Sequence, residues 1–240
     1  MTSSLPLPTT EVLKAVPLFS GLAPEQLSML AKHMTRQQYP RGADVLSGGR
    51  LTDSLYIMWS GRAKIFESRP DGREVILSII GPGDFFGEMA LLDDLPRSAG
   101  VETLEACEMM RISKADFTRC LANSFELTTR IMLRLVERLR HADRQIESLA
   151  LMDVYGRVAR VLLDLAKPID GMSTIERAPS QADIARMIGT SREMVSRVMT
   201  KLKKLGHIRV DKRSIVLLDK LERRQRRLKA PEGGSKRQRR

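Results

Sequence analysis

Between Gly83 and Ala99 the chain reads Gly83-Asp84-Phe85-Phe86-Gly87-Glu88-Met89-Ala90-Leu91-Leu92, then Asp93-Asp94-Leu95-Pro96-Arg97-Ser98-Ala99. This short stretch sets glycine-exposed backbone N–H groups beside a carboxylate, a guanidinium and a hydroxyl. Such a mixture suits a sugar-phosphate. Glycine lets backbone approach an anion closely, arginine forks onto phosphate oxygens, and glutamate can accept from a ribose 2′-hydroxyl. For any one of these residues the plain alternative is a turn, a short amphipathic helix and a surface Arg–Glu pair.

A second group of residues with chemistry to offer lies near the other end. Ser180-Gln181-Ala182-Asp183 reads as a capped helix start, with Ser180 as cap and Asp183 three residues on. Ile184, Ala185, Met187 and Ile188 supply an apolar face and Gly189 closes the helix. A second cap, Thr190 or Ser191, opens a helix from Arg192 to Leu202. Val195, Val198, Met199 and Leu202 face inward, which leaves Arg192, Glu193, Ser196 and Arg197 outside. Two helices joined by a glycine turn describe a helix-turn-helix, and Gly206–Val210 with Ser214–Leu218 reads as a β-hairpin wing. Charge agrees with nucleic acid as partner. Residues 1–179 carry 22 Lys/Arg against 23 Asp/Glu, residues 180–218 carry 9 against 3, and residues 219–240 carry 10 against 3. A near-neutral body with a basic end is what counterion release from phosphates favours.

These groups need elements to position them. Thr10–Val16 and Ala23–Met34 show helical spacing. From Gln37 to Ser113 short alternating runs such as Ser54–Trp59, Arg62–Glu67 and Glu74–Ile80 are cut by Gly and Pro, which predicts antiparallel strands. Lys114–Ala122 is a short helix, and Phe125–Met152 a long one. Along it Ile131, Leu135, Leu139, Ala142, Ile146 and Leu149 step by 4, 4, 3, 4 and 3, a seam for pairing with a second copy. Asp153 and Gly156 read as a break, Val158–Ala166 as a further helix and Pro168–Gly171 as a turn. The expected class is α+β: a jelly-roll-like antiparallel β-roll (1–124), a dimerisation helix (125–152), a winged helix-turn-helix (153–218) and a basic, disordered tail (219–240).

The run Phe86-Gly87-Glu88-Met89-Ala90-Leu91 followed by Arg97-Ser98-Ala99 resembles the phosphate-binding cassette of cyclic-nucleotide-binding domains. Ile188-Gly189-Thr190-Ser191-Arg192-Glu193-Met194-Val195-Ser196-Arg197 resembles the recognition segment of the cyclic-AMP receptor/fumarate-nitrate regulator family. With the long helix, the resemblance spans about Leu18 to Leu218. It implies that Gly87, Arg97 and Ser98 hold a cyclic phosphate and that Glu88 takes the ribose hydroxyl, with Met89, Ala90 and Arg138 in the same site. It also implies that Arg192 and Arg197 each read a guanine and Glu193 a cytosine amine in a palindromic GTGA-like site. Ser180, Gln181, Ser191, Ser196 and Lys201 complete the expected DNA contacts, and RNA polymerase is an implied partner. The base is met in the family by a Thr-Ser pair where this chain has Ala142-Asp143. Asp143 suits the paired donors of guanine better than adenine's single amine; it also fits a solvated residue or a partner for Arg140 or Arg144. Cyclic AMP, a guanine-containing messenger (cyclic GMP or cyclic di-GMP) and ligand-free action all stay open.

Other classes fare worse. Cys107 and Cys120 cannot make a metal cluster, and His33, His141 and His207 lie outside the β-roll, so neither an iron–sulfur nor a haem sensor is expected. No nucleophile–base pair points to an enzyme, and no cofactor is implied. The amino terminus lacks a secretory pattern and no run suits a membrane span, which predicts a reduced, cytoplasmic protein. A non-specific architectural nucleic-acid-binding protein is the alternative from a different class.

Overall fold

This computed structural model describes residues 10–14, 16–49 and 53–218. The expected tail, 219–240, lies outside them. The chain forms two compact units, one running to Asp143 and the other starting at Arg144, so the division falls inside the long helix.

In the first unit, helices α1 (Thr10–Lys14) and α2 (Pro24–Lys32) precede eight strands. These are β1 (Met34–Tyr39), β2 (Asp44–Leu46), β3 (Ser54–Ser60), β4 (Ala63–Ser68), β5 (Glu74–Ile80), β6 (Phe85–Phe86), β7 (Gly100–Thr103) and β8 (Cys107–Ser113), with helix α3 (Met89–Leu92) between β6 and β7. Helices α4 (Lys114–Ala122) and α5 (Phe125–Leu151) follow. The strands form two antiparallel sheets in the orders β1-β8-β3-β6 and β2-β7-β4-β5. Strand β3 shows why the sheets stack with helices on one side. Its alternate residues Leu55 and Ile57 enter the core shared with α2, α4 and α5, whereas Tyr56 and Met58 enter the core between the sheets. Both thiols are buried packing groups, Cys107 on β8 and Cys120 on α4, and burial pushes both pKa values up.

Ile131, read as the first residue of a pairing seam, is instead buried in its own unit beside Leu127. Met132 is the exposed neighbour. The first turns of α5 are held by the domain core, which rotates the solvent-facing stripe by one residue.

The second unit continues from the end of α5 into α6 (Val154–Leu165), β9 (Lys167–Ile169), β10 (Met172–Ile175), α7 (Gln181–Ile188), α8 (Arg192–Lys204), β11 (Ile208–Asp211) and β12 (Ser214–Leu217). Helix α6 starts four residues before the expected Val158, because Asp153 is its cap: the Gly156 N–H donates to Asp153 Oδ1 at 2.8 Å. The break expected at Asp153 is present, since Met152 and Asp153 separate α5 from α6, and Gly156 lies in the first turn of α6. Pro168–Gly171 is more than a turn. Pro168 lies in β9, the edge of the sheet β11-β12-β10-β9, where a missing N–H costs no ladder bond, and only Asp170-Gly171 turns the chain. Val158, Leu162, Ile184, Ile188, Val195, Leu202, Ile208 and Ile215 fill the core of this unit.

Candidate functional site

Gly87 has φ +88°, and a Cβ there would lie 2.5 Å from Arg97 Nη1 and 3.1 Å from the Ser54 carbonyl oxygen. Glycine is required here because the backbone turns left-handed under an arginine. Arg97 is only 4 % exposed. Its Nη1 donates to the Gly87 carbonyl, and its Nη2 to the Ser54 carbonyl at 2.6 Å. Burial draws the guanidinium's pKa down, opposed by the nearby Tyr56, Glu88 and Asp53.

Glu88, 3 % exposed, opens the one-turn helix α3. A carboxylate so buried needs a cation, and α5 supplies it. Arg138 Nη1 donates to Glu88 Oε1 at 2.5 Å, Nη2 donates to the Phe85 carbonyl, and the guanidinium sits 4.6 Å from the centre of the Phe85 ring. Ala90 is buried and Met89 exposed, and the exposed Ser98 hydroxyl donates to Met89 Sδ at 3.6 Å. Beneath the turn, Tyr56 and Phe86 stack with ring centres 5.2 Å apart. Gly87, Glu88, Arg97 and Arg138 are therefore brought into one site. Ala142 and Asp143 are exposed further along α5, about one turn beyond Arg138.

In the second unit, the Ser180 hydroxyl accepts from the Asp183 N–H at 3.1 Å and donates to the Asp183 carboxylate, closing the α7 start. Gln181 is half-buried in the first turn. Gly189 takes the left-handed conformation that ends α7. Of the two candidate caps, Ser191 is the one used, accepting from the Met194 N–H at 3.2 Å. Arg192, Glu193, Arg197 and Lys201 are exposed and Ser196 half-buried on the side of α8 away from its core. The Lys201 ammonium lies 5.4 Å from the Tyr155 ring centre. The Glu193 carboxyl is held below its ordinary pKa, first by its own backbone N–H, then by Ser191, Arg192 and Arg197. A carboxylate flanked by two guanidiniums sets hydrogen-bond acceptors and donors close together on this exposed part of the helix.

A cyclic nucleotide-binding domain model matches residues 36–124, and a Crp-like helix-turn-helix domain model matches residues 156–224. A CRP-like cAMP-activated global transcriptional regulator of Mycobacterium tuberculosis is 32 % identical over 213 residues, which is 87 % of this chain and 95 % of that protein. The cyclic AMP receptor protein of Thermus thermophilus is 33 % identical over 214 residues, covering 87 % and 98 %. The chain belongs to the CRP/FNR family of transcription regulators. The solved structure of the c-di-GMP-responsive global regulator CLP of Xanthomonas campestris superposes on this CRP/FNR chain with a TM-score of 0.69. It is 30 % identical, over 81 % of this chain and 99 % of that one. Membership makes the chain a DNA-binding regulator rather than an enzyme. No helix among the described residues is long and apolar enough to cross a membrane.

Three contributors to the CRP/FNR site escaped the sequence. The Ser54 and Phe85 carbonyls that hold Arg97 and Arg138 have no side-chain signature. Tyr56 reads as one residue in a buried strand, and only its stack on Phe86 places it near Arg97.

Proposed function

We propose that this CRP/FNR regulator acts in the cytoplasm as a homodimer that reads a palindromic GTGA-like operator when cyclic AMP occupies the β-roll. The observation that carries the ligand is the buried pair Glu88 and Arg97 gathered at a left-handed Gly87, whose carbonyl Arg97 engages. Arg97 would fork onto the cyclic phosphate with the Gly87 backbone and Ser98. Arg138 engages one Glu88 oxygen, and a carboxylate has lone pairs enough to accept a ribose 2′-hydroxyl as well. Two relatives named for cyclic AMP, at 32 % and 33 % identity, favour the same ligand. Cyclic di-GMP is the second reading. It is favoured by the exposed Asp143 carboxylate beside Ala142 and by the likeness to CLP.

The pairing helix supports a dimer once its seam is re-registered. Met132, Leu135, Leu139, Ala142, Ile146 and Leu149 step by 3, 4, 3, 4 and 3, a regular heptad whose members stand exposed or half-buried on α5. Arg138 neighbours Leu139 in this seam, so a ligand that re-engages Glu88 acts next to the dimer contact. It then shifts the population towards one spacing of the two recognition helices. RNA polymerase is the partner through which such a regulator acts on transcription.

Calorimetry of the purified protein against cyclic AMP, cyclic GMP and cyclic di-GMP tests the ligand, paired with competition between a symmetric GTGA-containing duplex and scrambled DNA. Binding of cyclic AMP that Arg97→Gln abolishes, with operator affinity rising at saturation, is expected. Binding of cyclic di-GMP alone, lost in Asp143→Ala, would select the second reading. Unchanged operator affinity and unchanged protease sensitivity near Asp153 at saturating ligand would overturn the gating.

A further inference from the structure

Helix α8 carries five large apolar side chains, and four of them, Val195, Val198, Met199 and Leu202, are buried in the unit's core. The fifth is not. Met194 is 37 % exposed, in the first turn of the helix, between Glu193 and Val195. Solubility gives no reason for an apolar group there. Its backbone N–H is the one the Ser191 cap engages, so the turn that carries it is held in place.

Side chains on a helix lean towards its N-terminus, which directs the Met194 thioether to the same end as Arg192 and Glu193. Arg197 is three residues on and shares that flank. The charged residues of this end can distinguish base pairs only by donors and acceptors. One mark in the major groove is apolar, the C5-methyl group of thymine. An unbranched, polarisable thioether with three rotatable bonds can follow a methyl group over a range of positions.

We infer that Met194 reads a thymine methyl in each half-site, adding an apolar discrimination to the polar contacts of Arg192, Glu193 and Arg197. This rests on the reading of α8 as the base-reading helix. The contact buries about one methyl group, so its loss weakens binding about fourfold.

The experiment separates the two claims. A preferred symmetric duplex is selected from random sequence with the full-length protein, in parallel at saturating cyclic AMP and at saturating cyclic di-GMP. Each thymine of a half-site is then replaced in turn by deoxyuridine, which removes only the methyl group. Wild type, Met194→Ala and Met194→Leu are titrated on each duplex. Weakening of about fourfold at one thymine, present in wild type, absent in Met194→Ala and restored in Met194→Leu, is expected. If no deoxyuridine weakens wild type while Arg197→Ala still erases sequence preference, Met194 reads nothing and α8 keeps its role. A uniform loss in Met194→Ala on every duplex, scrambled ones included, also overturns the inference, since the side chain would then touch only the backbone. If wild type selects no sequence at all, the reading of α8 itself fails.

Discussion

Arg138→Met asks whether the cation on α5 is what allows Glu88 to be buried as a carboxylate. Methionine keeps an unbranched stem but removes the guanidinium from over the Phe85 ring and both of its hydrogen bonds, to Glu88 Oε1 and to the Phe85 carbonyl. Leaving a buried charge unpaired costs about 3–5 kcal/mol when both partners are dry. Here the Glu88 side chain is 4 % exposed but that of Arg138 is 37 % exposed, so water screens part of the pair and about 2 kcal/mol is expected. Glu88→Gln removes the charge that needs a partner. The double variant should therefore recover about 1 kcal/mol of what Arg138→Met loses. The chain has one tryptophan, Trp59, on β3 against the core of the first unit. Its fluorescence in a urea titration reports that unit. At about 2 kcal/mol per molar urea the Arg138→Met midpoint falls by about 1 M. A shift equal in the single and double variants, or below a quarter of that size, would show that Arg138 is not what neutralises Glu88.

Three further outcomes follow from the same geometry. Gly87→Ala forces a Cβ against Arg97 and should cost well over 1 kcal/mol and weaken cyclic-nucleotide binding at least about tenfold. Gly72→Ala, equally left-handed at φ +80° but with nothing within 4 Å, should pay only the backbone strain and bind normally; equal ligand losses in both would discount the Arg97 contact. Glu108 is held below the ordinary carboxylate pKa first by Arg36 and then by Gln38. A depressed folded-state value means its stabilisation is complete above the unfolded pKa and disappears as pH falls through the folded one. The stability gap between wild type and Glu108→Gln should thus be constant above about pH 5 and close below about pH 4, and a gap that ignores pH would refute the pairing. Finally, a chain ending at Leu218 lacks 10 Lys/Arg and 3 Asp/Glu of the tail. Its log–log salt slope for non-specific duplex DNA should be shallower by several units, up to about 6 per chain; an unchanged slope would deny the tail a phosphate-binding role.

What could be read ahead of the structure was what short-range chemistry writes. The turn at Gly87, the capping box of Ser180 and Asp183, the glycine stop at Gly189 and the outward set from Arg192 to Arg197 all depend on residues within one or two turns of each other. Where a local pattern admitted two meanings, packing chose between them. Gly156 could break a chain or sit in a first turn, and the Asp153 carboxylate made it the latter. Pro168–Gly171 read as a turn, and pairing with Ser173 put Pro168 in an edge strand instead.

By itself, then, the sequence determined the two domain types, the cassette and the reading helix, because each is encoded in contiguous residues. Only the tertiary structure decided that Arg138 guards Glu88 from 50 residues away, and that Arg97 rests on the Ser54 carbonyl from 43 residues away. It alone turned Ile131 inward and left Met132 exposed beside it. The reason is the same in each case. A buried charge takes whichever partner the fold brings near, a carbonyl carries no residue identity, and a helix face is apolar on either side until a core claims one of them.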